Sequence, residues 1–262
     1  MKRLTIGIRL ESLGLPLRKA LAEASRLAVA GVQVDAVGDL SPTNLSQTGR
    51  REFRHLLRSY NLELTALGCP LRHSLDVAEN QQQRLEFVQQ VMTLSFDLGP
   101  RRVILEAGQV PDEKELERTR LMKDALISLG SHGDRSGTIL ALETGLDSGE
   151  TLAKFLDCFD TGGLGVNLDP ANLLSHGFVP FDAVRALNRR IVHIHAKDAR
   201  RSSTSRAVQE VPLGAGDIDW LYFLGLLEEI EYRGWLTIER ETGDNRAADV
   251  AAGVEFLRRL VG

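Results

Sequence analysis

Short apolar runs alternate with longer amphipathic ones along the whole chain. The apolar runs are Leu4–Leu10, Val32–Ala36, Leu62–Leu67, Arg102–Glu106, Thr138–Leu142, Leu164–Leu168, Ile191–Ile194 and Leu236–Ile238. Runs this short, bounded by turn residues, predict strands buried in a parallel sheet. Between them, apolar residues recur at three- and four-residue spacings, which is the helical period. The clearest case carries Leu17, Ala20, Leu21, Ala24, Leu27 and Ala28 within Pro16–Ala30. Further helices are predicted over Gln47–Tyr60, Val77–Leu98, Pro111–Leu129, Glu150–Cys158, Phe181–Leu187 and Ile218–Glu231, and a last one ends near Leu260. Gly31, Gly99 and Gly130 are the expected stops. Asp217 and Asp244 are the expected N-caps of the last two. Eight strands alternating with eight helices over about 250 residues predict an α/β protein: a single-domain (β/α)8 TIM barrel spanning residues 1–262. An open doubly wound sheet is the alternative, although no G-x-G-x-x-G sits at a strand-to-helix turn.

Four of the strands end in chemistry. Glu143, Asp169, His195 and Glu239 stand at the C-terminal ends of strands five to eight. In a parallel barrel those ends meet on one face, where active sites are built. Charged groups there are costly unless paired or bound to a cation. Three carboxylates and one imidazole suit a single divalent metal, with manganese or magnesium favoured and cobalt or zinc feasible. The competing reading is a rim of salt bridges, with Arg240 and Lys197 as counter-ions. His193 shares the parity of His195 and is expected deeper in the barrel, hydrogen-bonded within the core. Glu106, ending strand four, is placed either to face the site or to pair with Arg101 or Arg102. Glu241 lies past the strand end and is not expected as a ligand. His73 and His176 fall near rim loops and are candidates for substrate contact. His55 belongs to a helix surface, and His132 follows an expected helix stop, where it would cap a carbonyl.

Composition narrows the class. In 262 residues, 43% hydrophobic and 26% charged content is that of an ordinary globular protein. The net charge of −4 works against the phosphate electrostatics that drive nucleic-acid binding. Two cysteines, Cys69 and Cys158, exclude a disulfide framework and are expected as small buried residues. Lys2 and Arg3 begin the chain, but Arg9 and Glu11 break the apolar stretch too early for a signal peptide. No run approaches the roughly 18 apolar residues of a membrane span. The expectation is a cytoplasmic protein with no nucleic-acid or membrane partner. A homo-oligomer, most often a dimer on general grounds, is compatible with it.

Five motifs occur in order: Ala141-Leu-Glu143-Thr-Gly145, Asn167-Leu-Asp169-Pro-Ala-Asn172, His193-Ile-His195-Ala-Lys197-Asp198, Leu213-Gly-Ala-Gly216-Asp-Ile-Asp-Trp220 and Leu236-Thr-Ile-Glu239-Arg240. Together they resemble the xylose isomerase-like TIM barrels, the superfamily of sugar phosphate isomerases and epimerases. The resemblance covers nearly the whole chain and is sharpest in its second half. It implies that Glu143, Asp169, His195 and Glu239 bind one divalent metal. It also implies that Glu143 and Glu239 lie on opposite faces of a sugar or polyol and act as the acid/base pair, while the metal polarises a carbonyl and neutralises an enediolate. Asn172 stands where many members carry a histidine. It can bond a hydroxyl, but it cannot shuttle a proton near neutral pH. Asn172, Lys197 and Arg201 are the implied substrate contacts; for Arg201 a solvated loop charge is the competing reading, and for Lys197 a salt bridge to Asp198 or Glu239.

The implied activity is isomerisation or epimerisation of a sugar, sugar phosphate or cyclitol. A dehydratase of inosose or dehydroshikimate type on the same scaffold is the alternative. An abasic-site endonuclease would need more histidines at strand ends, and a non-catalytic sugar-binding barrel would not need all four ligand types. A phosphate group on the substrate would call on Arg200, Arg201 or Arg206. The stretch Ala199–Ala215 is long enough to form a lid.

Overall fold

The apolar runs pair edge to edge until the sheet closes on itself. The computed structural model describes residues 4–202 and 207–261. In chain order its strands are β1 (Thr5–Arg9), β2 (Gly31–Asp35), β3 (Glu63–Gly68), β4 (Arg102–Leu105), β5 (Ile139–Glu143), β6 (Leu164–Leu168), β7 (Ile191–Ala196), β8 (Asp198–Arg201), β9 (Val208–Val211) and β10 (Trp235–Ile238). The helices are α1 (Leu17–Arg26), α2 (Gln47–Ser59), α3 (Gln81–Leu98), α4 (Leu116–Ser136), α5 (Gly149–Leu156), α6 (Pro170–Ser175), α7 (Pro180–Ala186), α8 (Trp220–Glu229) and α9 (Arg246–Val261). β1 pairs in parallel with both β2 and β10, which closes an eight-stranded barrel in the order β1-β10-β7-β6-β5-β4-β3-β2. This is the single-domain (β/α)8 barrel that the alternation predicts.

Strand alternation sorts the side chains into two environments. Ile8, Val32, Leu140, Val166, Ile194 and Leu236 are fully buried in the layer between barrel and helices. Each such side chain contributes roughly 1.5–3 kcal/mol by leaving water. The opposite parity points into the barrel. There, Ala66, Ile104 and Ala141 form a small apolar cluster of their own, whereas Gln33, Asn167, His193, His195 and Thr237 are buried polar residues. A polar barrel interior is stable only if its groups bond one another, and these do, as described below.

Several boundaries differ from the sequence reading. α1 ends at Leu27 with Ala28 at φ 51, not at Gly31, which begins β2. A Cβ on Gly31 would come within 2.6 Å of Thr65 Cγ2 and 2.8 Å of the Trp235 ring, so glycine serves close approach there. α4 runs past Gly130 to Gly137, which is left-handed at φ 68. Within it, Gly133 lets the helix touch the start of β6: a Cβ would lie 2.7 Å from Gly163 Cα. His132 is therefore inside a helix rather than past its end, with Nε2 3.3 Å from Thr93 Oγ1 and a hydrogen bond to the Gln89 backbone. The caps of α8 and α9 are Asp219 and Asn245 rather than Asp217 and Asp244. Asp219 Oδ1 accepts from Tyr222 N at 3.0 Å and Asn245 Oδ1 from Ala248 N at 3.3 Å. Cys69 is buried as expected, but Cys158 is exposed.

Three elements have no counterpart in the hydrophobic pattern. α6 is only six residues long; the Asp169 side chain caps it, with Pro170 at its first position. β8 and β9 form an antiparallel ribbon, pairing Asp198 with Val211 and Arg201 with Val208, inside the stretch read as an open loop. Asp198 anchors its base. One oxygen accepts from the backbone of Gly214 and Gly216 and from Trp220 Nε1, and the other from Ala199 N. Lys2, Arg3 and Arg206 lie outside the described residues. Among the described residues no helix is long and apolar enough to cross a membrane.

Candidate metal centre

β5, β6, β7 and β10 bring Glu143, Asp169, His195 and Glu239 to one point. The register does this: Glu143 pairs with Asn167, two residues before Asp169, and His195 pairs with Thr237, two residues before Glu239. One donor atom from each of the four lies within 4.8 Å of the others. His195 Nδ1 sits 3.0 Å from Glu239 Oε2, 3.1 Å from Glu143 Oε1 and 4.0 Å from Asp169 Oδ2. Ligands on opposite sides of one ion are roughly 4–5 Å apart at metal–oxygen distances of about 2.0–2.6 Å, so the set fits a single cation.

The unpartnered atoms fit it too. Asp169 Oδ2 and Glu239 Oε2 are buried acceptors without a donor in bonding geometry. A buried carboxylate oxygen left this way is costly. The other oxygen of each is satisfied. Asp169 Oδ1 accepts from Asn172 N at 2.9 Å, and Glu239 Oε1 accepts from Arg9 Nη1. Each carboxylate is thus held by one oxygen and offers the other.

The imidazole is prepared in the same way. His195 Nε2 lies 2.9 Å from Gln33 Oε1, an atom that only accepts, so Nε2 carries the hydrogen. In the neutral ring Nδ1 is then the lone-pair nitrogen, and it faces the carboxylates. Behind it runs a buried chain. Thr237 Oγ1 donates to His193 Nε2 (2.9 Å), His193 Nδ1 donates to Asn167 Oδ1 (2.9 Å), and Asn167 Nδ2 reaches His195 Nδ1 (3.0 Å). His193 is therefore the hydrogen-bonded core histidine that its parity predicts. Such partners fix the tautomer and orientation of a ligating histidine.

Charge in the cluster is unevenly met. Burial disfavours a charged His195 ring, but Glu239 and Glu143 outweigh it and raise its pKa to about 10. Burial lifts Asp169 to about 8, with Lys197 opposing and Glu239 and Glu143 adding. Burial also pushes Glu239 up, yet His195, Lys197 and Arg9 hold it well below the carboxylate range. Lys197 Nζ is 3.5 Å from Glu239, 3.9 Å from Asp169 and bonded to Glu241. Of the two counter-ions that a pure salt-bridge rim requires, Lys197 is present. Arg240 is not: it pairs with Asp249 and Glu210, each at 2.9 Å.

The remaining expected residues divide. Asn172 and Lys197 join the cluster: Asn172 Nδ2 is 3.3 Å from Glu143 Oε1, and Lys197 Nζ is 3.3 Å from Asn172 Oδ1. Arg201 does not. It is exposed on β8 and lines a separate, mostly apolar cavity with Phe178, Phe181 and Ile218. Glu106 forms no ion pair with Arg101 or Arg102 and instead borders the cluster's own cavity. That cavity, of about 190 Å³, is lined by Arg9, Gln33, Asp35, Cys69, Glu106, Glu143, His195 and Glu241 among others. Arg9, Gln33 and Asp35 are the residues the sequence reading missed. Arg9 Nη2 bonds Asp35 Oδ2 at 2.8 Å while Nη1 bonds Glu239. Their signal was polarity inside apolar strands, at Arg9 in β1 and Gln33 in β2.

A family model described as "Xylose isomerase-like TIM barrel" matches residues 21–260. The chain belongs to this family. Its relatives include an uncharacterised protein, YfiH, of Bacillus subtilis, 26% identical and covering 96% of this chain and 97% of that protein. An inosose dehydratase of Clostridium tetani is 31% identical over 117 residues, 40% of this chain and 39% of its own. Among solved structures, a xylose isomerase domain protein from Planctomyces limnophilus superposes with a TM-score of 0.87 at 27% identity, covering 98% and 97% of the two chains. Two barrels share the fold at 19% identity and a TM-score of 0.78. They are a D-allulose 3-epimerase from Methylomonas in complex with D-allulose (99% and 98% covered) and a Mycobacterium smegmatis protein in complex with magnesium (99% and 96%). The D-allulose 3-epimerase thus shares this barrel fold.

Proposed function

We propose that this chain is a divalent-metal-dependent isomerase or epimerase that moves a proton beside the carbonyl of a sugar or cyclitol. The observation that carries this reading is the pair Glu143 and Glu239, flanking His195 Nδ1 at 3.1 and 3.0 Å, with Glu143 open to the cavity. Glu143, Asp169, His195 and Glu239 would hold the metal; their three oxygens and one nitrogen favour manganese, with magnesium, cobalt and zinc also accommodated. Bound there, the ion would supply Lewis-acid polarisation of a carbonyl oxygen.

The chain's own residues supply the rest. Glu143 borders the cavity and takes the proton from the carbon next to the carbonyl. The electron pair of that C–H bond becomes a carbon–carbon π bond while the carbonyl π pair moves onto the oxygen, giving an enediolate. Glu239 is held in its carboxylate form and fixed by Arg9, and it is the group for the opposite face. A proton drawn from water and passed through Glu239 to the same carbon gives the epimer, with Glu143 releasing its own proton to water; the Glu143 proton returned to the neighbouring carbon gives the isomer. Asn172, bonded to Lys197 beside Glu143, orients substrate hydroxyls, and Lys197 fixes its amide oxygen. A cytoplasmic protein acting on small molecules, without nucleic acid, accords with the chain's net negative charge.

The similarity to an inosose dehydratase favours one second reading: the same proton abstraction followed by loss of a hydroxyl as water. Proton NMR in deuterated water with the manganese-loaded protein separates the two. Deuterium entering recovered substrate or its epimer without loss of mass as water supports the first, and an unsaturated product supports the second. Full exchange activity in Glu143→Gln would refute the role given to Glu143 in both.

A further inference from the structure

The cavity beside the cluster has more acid than base on its walls. Glu106, Glu143, Asp35 and Glu241 line it, and Asp169 and Glu239 adjoin it. Against these six carboxylates stand Arg9 and Lys197. Both are already committed. Arg9 is bonded to Asp35 and Glu239, with Glu241 3.6 Å away. The three donors of Lys197 face Glu241, Glu239, Asp169 and the Asn172 amide oxygen. With a divalent ion bound to a neutral His195 ring and an ionised Asp169, its two charges, Arg9, Lys197 and the His176 ring near Glu106 counted as a cation still fall one short of the six carboxylates.

Phosphate and carboxylate groups are recognised by free guanidinium or ammonium groups, or by backbone N–H groups at a helix start. Among the described residues the cavity offers no such free cation. The arginines that a phosphate would call on lie elsewhere. The Arg200 guanidinium donates to Ala215 O, and Arg201 lines the apolar cavity beside Phe181; Arg206 lies outside the described residues. A cavity of one sign repels ligands of the same sign and leaves hydroxyl donors as the favoured contacts for its carboxylates.

We propose that the substrate is an uncharged polyhydroxy carbonyl compound, carrying neither phosphate nor carboxylate, and that Glu106 and Glu241 enforce this by charge. The inference rests on the proton-transfer reading above and deepens it. It separates the open alternatives: free ketoses and inososes fit, whereas sugar phosphates and dehydroshikimate do not.

The test is solvent deuterium exchange by the manganese-loaded, full-length protein on matched pairs: D-tagatose against D-tagatose 6-phosphate, and scyllo-inosose against 3-dehydroshikimate. The neutral member of the exchanging pair is expected to exceed its anionic partner by on the order of 100-fold in kcat/KM, the size of a few ångströms' like-charge repulsion. In the double variant Glu106→Gln, Glu241→Gln that preference should narrow by about tenfold, with metal content unchanged, as removal of two such charges predicts. An anionic member that exchanges as fast as its neutral partner overturns the inference while leaving proton transfer intact. An unchanged preference in the double variant would show that shape, not charge, discriminates, and also overturns it. No exchange on any of the four compounds brings down the proton-transfer reading, and this inference with it.

Discussion

The two halves of the barrel rim are built on different plans. β5, β6, β7 and β10 each end in a side chain that offers a donor atom to one point. β1 and β2 end in Arg9, Gln33 and Asp35, which offer no metal donor to that point but bond to those that do or to one another. β3, β4 and the residues just past them contribute Gly68, Cys69 and Ile104, a small or apolar stretch of the cavity wall, beside Glu106. One half presents the candidate ligands and the other holds them. A ligand needs a free atom, so its carboxylate is half-satisfied by design; a holding residue needs its partners complete. Asp169 and Glu239 each keep one oxygen unpartnered, while Gln33 is spent on His195.

Substitutions on each side should therefore fail in different ways. The largest effect belongs to the ligand half. Glu143→Gln should lose about 10²–10⁴-fold of deuterium-exchange rate, the usual worth of a positioned acid/base group, without a fall in melting temperature. Next comes Arg9→Met in the holding half. It leaves Glu239 and Asp35 without their shared guanidinium, and breaking a buried pair in this way costs roughly 3 kcal/mol. Urea unfolding checks this, and a loss under about 1 kcal/mol would mean Arg9 holds nothing. Gln33→Leu frees the His195 Nε2 hydrogen and should weaken manganese binding by about 10–100-fold, read by calorimetry, with a smaller effect on folding.

The smallest effect concerns the cysteines. Burial and the Asp35 charge push the Cys69 thiol up to about 12, whereas Cys158 is exposed. Iodoacetamide at pH 8 should label Cys158 alone in the native protein and both residues after unfolding, as counted by mass spectrometry. Because a free thiol ionises near about 8.5, the unfolded chain gives up the Cys69 proton first. The contribution of Cys69 to stability is then full below that pH and is lost as pH rises toward 12.

The same division explains what could be read from the sequence. The strands were legible because each is a short apolar run between amphipathic helices, and the clustering of the four strand-end residues because each is a lone charged group ending such a run. His195 and Glu239 announce themselves in this way. Arg9 and Gln33 do not, since a polar residue inside a strand has no function until its partner across the barrel is known; Gln33 meets His195 from 162 residues away. Gly31 and Gly130 were misread as helix stops because a glycine required for close packing looks the same in sequence as one required for a left-handed turn. The ribbon of β8 and β9 was hidden by its polarity: Arg200, Arg201 and Gln209 carry no apolar signal, and its pairing depends on Asp198 tying down Gly214 and Gly216.

All of this turns on whether one cation occupies the four strand ends. The direct measurement is metal content by mass spectrometry on protein purified without added metal or chelator, beside the double variant Asp169→Asn, Glu239→Gln. About one equivalent of manganese, magnesium, cobalt or zinc in the parent, lost in the variant, is the expected result for a three-oxygen, one-nitrogen site. A parent without metal, whose melting temperature does not rise when manganese is added, would contradict it and leave the four residues as a salt-bridged rim.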